Sequence, residues 1–402
     1  MKKILTMVLA VALALTMCSM AFAEGYSGEL KIWVAENVVD FTKEQVDAFK
    51  AAHPEYADMT VAIEPVGEGD AANNMITDVE SGADIFGFAQ DQLARLVAAG
   101  AVEEVEPGNA EIVKAENDAG SVAAVTLGET MYAYPMTSDN GYFLYYDKSV
   151  VTDPSTLEQV LADCEAAGKS FYMEINSGWY QPAYFFGAGC TLTYDTNDEG
   201  GYTACNIDYA SENGLKALKS IIKVAQSPAF VNGSSLSSAT NVGAIVDGTW
   251  DAGAAQDLFG ENYAACKLPT VDGYQLSGFG GFKMLGVKPQ TDEDKLAACD
   301  ALAAWLTSGD VQLARFNAVQ WGPSNLTAQQ DEAVQSNVAL AALADQLQYT
   351  IPQGNYPGDY WSLATALGDD VIADKLDAMS DEELMATLQT FQDTCISYAN
   401  AQ

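Results

Sequence analysis

The run YAYPMTSDNGYFLYYDK at residues 132–148 constrains the fold more than any other stretch. Tyr132, Tyr134 and Met136 alternate with smaller residues, and residues 142–146 are aromatic except for Leu144, so both ends have strand character. Between them lies the polar break Ser138-Asp139-Asn140-Gly141. On local grounds Asn-Gly between two apolar runs is a hairpin signal. The alternative is one strand that crosses from one body of the protein to another, and the rest of the chain bears on that choice.

A chain of 402 residues with 49% apolar content suggests two or three domains with substantial cores. Residues 1–23 read as a secretory signal: Lys2 and Lys3, an apolar run over 4–17, then Ala21-Phe22-Ala23 in the small-x-small pattern of a cleavage site. The mature chain is expected to start at Glu24. Lipoprotein processing at Cys18 is disfavoured, because Met17 is bulkier than that pattern wants. No later stretch approaches the length of a membrane span, so the expected mature protein is exported, soluble and located in the periplasm or at the cell surface. Loss of Lys2 and Lys3 takes the formal charge of −38 to −40, which disfavours nucleic acid and anionic membranes as partners.

Six cysteines remain beyond Cys18. Cys164, Cys299 and Cys395 sit on apolar helix faces and read as core thiols. Cys190 and Cys205 flank an acidic, glycine-containing turn and are the candidate disulfide. A strand at 30–34 precedes a helix with capping-box spacing at Thr42 and Gln45, ending at His53-Pro54. Strands at 61–63 and 83–89 follow, then a helix from Asp91 to Gly100. Strand, helix, strand, helix predicts a parallel α/β sheet with ligand groups at the strands' C-terminal ends, which brings Glu36, Asn37, Phe88 and Asp91 to one cleft. Asp91 also suits a helix N-cap. Further on, FYMEINSGWYQPAYFF (171–186) is broken by Gly178, Gln181 and Pro182, which leaves Trp179 and Tyr180 partly exposed. A buried strand at 242–248 ends in a turn that delivers Trp250.

His53 is the only histidine, so a serine or cysteine triad or a histidine-bearing metal site has to use it, and it lies at a helix end. No phosphate-binding loop or dinucleotide fingerprint occurs, and no cofactor is expected. Asp195-Thr196-Asn197-Asp198-Glu199-Gly200 imitates the start of a calcium loop, but Asn206 stands where the bidentate Glu belongs, so a hairpin turn explains it better. Carboxylate pairs for glycosidase chemistry can be drawn anywhere among 56 acids and carry no weight alone. What is specific is tryptophans on turns combined with acids at strand ends: indole faces stack on sugar C–H surfaces and carboxylates accept from hydroxyls.

Lys31-Ile32-Trp33, ADIFGFAQDQLARLVAAGAVEEV (83–105), YAYP and FLYYDK (132–148), AIVDGTW (244–250), LPTVDGY (268–274) and IPQ…YW (351–361), in this order, resemble the extracellular solute-binding proteins of ABC importers, in the maltose and maltodextrin-binding group. The resemblance spans essentially the whole mature chain. It implies a two-lobed, hinged α/β fold of the periplasmic-binding-protein kind, with 24–138 plus 283–325 as one lobe and 139–282 plus 326–402 as the other. Residues 132–148 are then the first crossing and not a hairpin, with crossings near 138–142, 277–284 and 321–327. The implied function is binding of an oligosaccharide, of maltooligosaccharide or α-glucan type, between the lobes and delivery to a membrane permease, by a monomer that catalyses nothing.

One lobe then offers Glu36, Asn37, Phe88 and Asp91, with Asp139 at the hinge. The other offers Trp179, Tyr180, Trp250, Tyr360 and Trp361. Trp33, Trp305 and Trp321 are assigned to packing. Asn37, Gln92 and Thr365 replace basic residues of the maltodextrin pattern, which weakens maltose itself more than an oligosaccharide. The rival readings are a binding protein for a cationic or peptide solute and, less favoured, a secreted glycan-degrading enzyme.

Overall fold

The structure, a computed structural model, describes residues 25–400; the signal segment, Cys18 and Glu24 lie outside the described residues. Residues 132–148 form no hairpin. Tyr134–Asp147 is one uninterrupted strand, and its two ends belong to different sheet regions. Residues 134–141 pair antiparallel with Phe279–Val287. Residues 142–147 pair antiparallel with Val242–Gly248 on one edge and Tyr263–Cys266 on the other.

The two halves share a plan. In the first, Glu29–Val34 lies parallel to Thr60–Pro65 and to Ile85–Ala89, and Ile85–Ala89 then meets Phe279–Val287 antiparallel. In the second, Ser170–Tyr172 lies parallel to Phe230–Val231 and Val242–Gly248, and the crossing strand closes the set. Parallel strands covered on both faces require continuous apolar runs, and VGAIVDG is buried at every position. Each half has its own core. One gathers Ile32, Phe86, Phe88, Met284 and Leu302; the other gathers Leu144, Phe171, Tyr184, Leu218, Val246 and Leu388.

Local signals mostly hold. Leu157–Ala167 is capped by the Thr156 side chain and stops at Gly168 in the left-handed conformation. The capping box at Thr42 does not form. The helix Val39–Ala52 starts three residues earlier, and the Thr42 hydroxyl donates to Val38 O at 2.7 Å inside the first turn. Asp91 caps no helix either; it sits in the 3-10 turn Gln90–Gln92. Cys190 and Cys205 are both free thiols. In the hairpin of Leu192–Thr196 and Tyr202–Ile207, Cys205 faces Tyr194 and Cys190 precedes the paired stretch, where its Sγ lies 3.9 Å from Ser211 Oγ. The acidic loop 195–200 turns that hairpin: Asn197 Oδ1 accepts from the backbone of Glu199 and Gly201, and Gly200 has positive φ.

Asp139 departs from its expected role. It is buried in the crossing, and its Oδ2 accepts from Thr249 Oγ1 and from the Gly322 amide, each at 2.5 Å. It is a clasp joining three segments and does not line the cleft described below. Asp139→Ala strands two buried donors, each costing on the order of 1–3 kcal/mol. The expected outcome is a loss of about 2–4 kcal/mol in urea unfolding; an unchanged midpoint contradicts the clasp.

Candidate ligand-binding cleft

Where the two halves meet, a cleft of about 530 Å³ opens between the strand ends of the first half and the aromatic turns of the second. Its polar side comes from the first half. Glu36 and Asn37 occupy the short 3-10 turn that follows Glu29–Val34, and both are exposed. Glu68 comes from the turn after Thr60–Pro65, and Asp91 from the turn after Ile85–Ala89. These are C-terminal ends of parallel strands, as the α/β alternation predicts. The apolar side comes from the second half: Trp179, Trp250 and Trp361, all half-buried.

Each indole has a local reason for facing the gap. Trp179 stacks on Phe279 with centroids 5.2 Å apart and meets the Tyr142 ring edge-on at 5.5 Å, so its orientation is fixed from behind. Trp250 follows Thr249, whose hydroxyl is held by Asp139. Trp361 lies in the first turn of Gly358–Ile372, one residue past Tyr360. Consecutive helical residues point about 100° apart. Tyr360 therefore joins Ala364, Leu367 and Val371 on the buried face, while Trp361 turns to the cleft.

Four of the ten site residues expected from sequence do not line the cleft: Phe88, Asp139, Tyr180 and Tyr360. Phe88 lies on the core side, 5.5 Å from Phe86 and against Gly286, where an added Cβ would come within 2.9 Å of its ring. Tyr180 packs on Tyr142 at 4.9 Å, drawn inward at the start of the buried helix Pro182–Gly187. The Tyr360 hydroxyl donates to Gly178 O at 3.0 Å inside the core. The other six, Glu36, Asn37, Asp91, Trp179, Trp250 and Trp361, do line it.

Sequence reasoning missed Glu68, Asn140, Asp251, Lys283 and Gln353, and assigned Trp321 to packing; all of these line the cleft. Trp321 is nearly fully buried, so it packs as expected while flooring the site. Gln353 is the most connected of the missed residues. Its Oε1 accepts from Asn140 Nδ2 at 3.1 Å and its Nε2 donates to Asp91 Oδ1 at 2.7 Å, joining the crossing strand to the acidic wall. Gln353 stands in the IPQ motif, which was the one available signal.

Gln92, Asn37 and Thr365, where the resemblance implies basic residues, bond to the scaffold. Gln92 donates to the carbonyls of Glu68 and Gly69 and accepts from the Ala72 amide, bracing the turn that carries Glu68. Asn37 Nδ2 donates to Trp250 O at 3.4 Å, a bond across the cleft. Thr365 bonds back to Trp361 O within its own helix.

Burial pushes the Asp91 carboxyl up to about 7, against the opposing pull of Arg95. Burial, reinforced by Asp251 close by, also holds Asp247 well above the usual carboxylate range. Among the described residues no group of three or more His, Cys, Asp or Glu is arranged to hold a metal ion. The arrangement is a stacking surface facing hydrogen-bond acceptors, suited to a flat molecule with an apolar face and a hydroxylated rim.

A family model described as bacterial extracellular solute-binding protein matches residues 44–342. The chain belongs to that family. A structure solved with acarbose superposes with a TM-score of 0.80 at 26% identity, covering 92% of this chain and 98% of that one. The maltodextrin binding protein MalE1 from L. casei BL23, solved without ligand, gives 0.76 at 24% identity over 92% and 99%. The maltose-maltodextrin binding protein of the thermoacidophilic bacterium Alicyclobacillus acidocaldarius gives 0.75 at 20% identity over 91% and 100%. No curated protein sequence matches the chain. The two-lobed α/β fold of this solute-binding protein is thus the one the sequence motifs implied.

Unfolded Asp91 titrates near 3.8 and folded Asp91 near 7. As pH rises through that window the unfolded chain releases a proton that the folded chain keeps, so stability declines until pH about 7 and then levels off. Asp91→Asn keeps an acceptor for Gln353 and removes this titration. Its urea midpoint is expected to fall less than wild type between pH 4 and 7; parallel profiles contradict the assignment.

Proposed function

We propose that this protein is the receptor of an ABC import system, holding an oligosaccharide of the maltooligosaccharide or α-glucan type in the interlobe cleft and delivering it to a membrane permease. The observation that carries the reading is the pairing of Trp179, Trp250 and Trp361 on one wall with Glu36, Glu68 and Asp91 on the other. A pyranose presents apolar C–H faces and equatorial hydroxyls, and such a gap satisfies both at once. The solved structures with acarbose and the maltodextrin-binding neighbours have the same fold.

In this reading the lobes comprise residues 24–138 plus 283–325 and 139–282 plus 326–402, hinged near 138–142, 277–284 and 321–327. Support comes from the crossing strand and Phe279–Val287, which pair with each other where the two sheet regions join. The ligand binds the closed arrangement more tightly than the open one and shifts the population toward closure, which the permease reads as shape. The protein is exported, acts as a monomer and performs no chemistry on the sugar. No described helix is long and apolar enough to cross a membrane.

Calorimetry against a ladder of glucose oligomers tests this. Binding is expected, with a change in tryptophan fluorescence. Trp250→Ala and Trp361→Ala are each expected to weaken affinity about tenfold or more, equivalent to about 1.4 kcal/mol. Silence across the ladder, or full affinity in both variants, refutes the reading.

A further inference from the structure

Lys283 is a lysine in the cleft with no oxygen partner. It belongs to Phe279–Val287, and the pairing of that strand with the crossing strand slips in register on both sides of Lys283. Such irregularities re-aim a side chain beside a site. The Lys283 side chain lines the cleft, although the residue as a whole is only 5% exposed. Its ammonium lies 3.8 Å from the Trp321 ring centroid and 5.2 Å from that of Trp250.

The comparison with Lys288, five residues on, isolates what is unusual. Lys288 is similarly buried, and its ammonium donates to the carbonyls of Glu80 and Gly82 and lies 3.4 Å from Asp84. An ammonium carries three donors and a full charge, and Lys288 meets these with protein oxygens. The Lys283 ammonium makes no hydrogen bond and no ion pair with any described residue; indole faces attend it, and it borders the open cleft. The carboxylates of Glu36, Glu68, Asp91 and Asp251 share the cleft, yet none comes within 4.0 Å of the ammonium. Ring faces support a cation without consuming its directional donors. Its donors therefore face the cleft, where a ligand oxygen can meet them.

We propose that Lys283 is a specificity-determining residue: its ammonium donates to a ring or hydroxyl oxygen of the sugar unit seated beside Trp250 and bars a protonated amino group from that subsite. The proposal rests on the oligosaccharide reading and refines it. The acids of the cleft taken alone would suit a cationic solute. An ammonium on the floor without an ion-pair partner opposes one, because two like charges would share one subsite.

The test uses the mature protein, with Lys283→Met and Lys283→Arg variants. The probes are a glucose oligomer and an aminodeoxy analogue of the same length and linkage, measured by calorimetry at pH 7. Wild type is expected to bind the neutral oligomer at least tenfold more tightly than the ammonium-bearing one. Lys283→Met is expected to lose about tenfold on the neutral oligomer and most of the discrimination, while Lys283→Arg retains both. Melting temperatures separate this from a structural role, which would shift stability and leave the selectivity ratio unchanged. If Lys283→Met does not fold, Lys283→Gln takes its place. Equal affinity of wild type and the folded variant for the neutral oligomer, or an unchanged ratio, overturns the proposal and leaves the oligosaccharide reading standing. No binding of either probe by wild type overturns both.

Discussion

A single buried carboxylate sets the positions on which the cleft depends. Asp139 lies midway along a strand that runs without a break from one half of the molecule into the other, and it holds Thr249 and Gly322 through one oxygen. The next residue after Thr249 is Trp250, and the residue before Gly322 is Trp321. Two of the cleft's indoles are therefore delivered by backbone segments that Asp139 pins to the crossing. Ser138 adds a main-chain bond to Gly322 O at 3.1 Å. The site is built at the junction of the halves, where these bonds tie three segments together.

The same junction reaches the acidic wall through Gln353. Asn140, the neighbour of Asp139, donates to Gln353, which donates in turn to Asp91. Asp91 is buried enough that its proton is held to about pH 7, so one wall of the cleft can change charge near neutrality. Rigid indoles, a titratable acid and a partnerless ammonium thus lie within one gap. Solute-binding proteins close around a ligand between lobes, and groups linked to the crossing are those whose positions both lobes share.

Much of this was legible in the sequence, for reasons that can be stated. Trp250 and Trp361 were readable because each ends a turn-forming run, and Glu36 and Asp91 because parallel strands present their C-terminal ends to ligands. Phe88, Tyr180 and Tyr360 were misplaced because each sits next to a true cleft residue, and adjacent positions on a strand or helix point different ways. Ala89 lines the cleft where Phe88 does not, and Trp361 where Tyr360 does not. Asp139 lies within the crossing strand and bonds Thr249 and Gly322 without lining the cleft, and sequence cannot tell an acid that meets a ligand from one that meets Thr249. Lys283 was invisible, because a lone lysine inside a strand carries no periodicity, and Gln353 was marked only by the IPQ motif. The disulfide at Cys190 and Cys205 failed because spacing around a turn does not fix hairpin register, and register put Tyr194 opposite Cys205.

The most direct measurement is a crystal structure of the mature protein grown with a glucose oligomer. The account predicts sugar rings lying flat against Trp250 and Trp361, with hydroxyls donating to carboxylates of the opposite wall. Rings bound elsewhere, or a cleft filled by a solute that touches no indole, contradicts it.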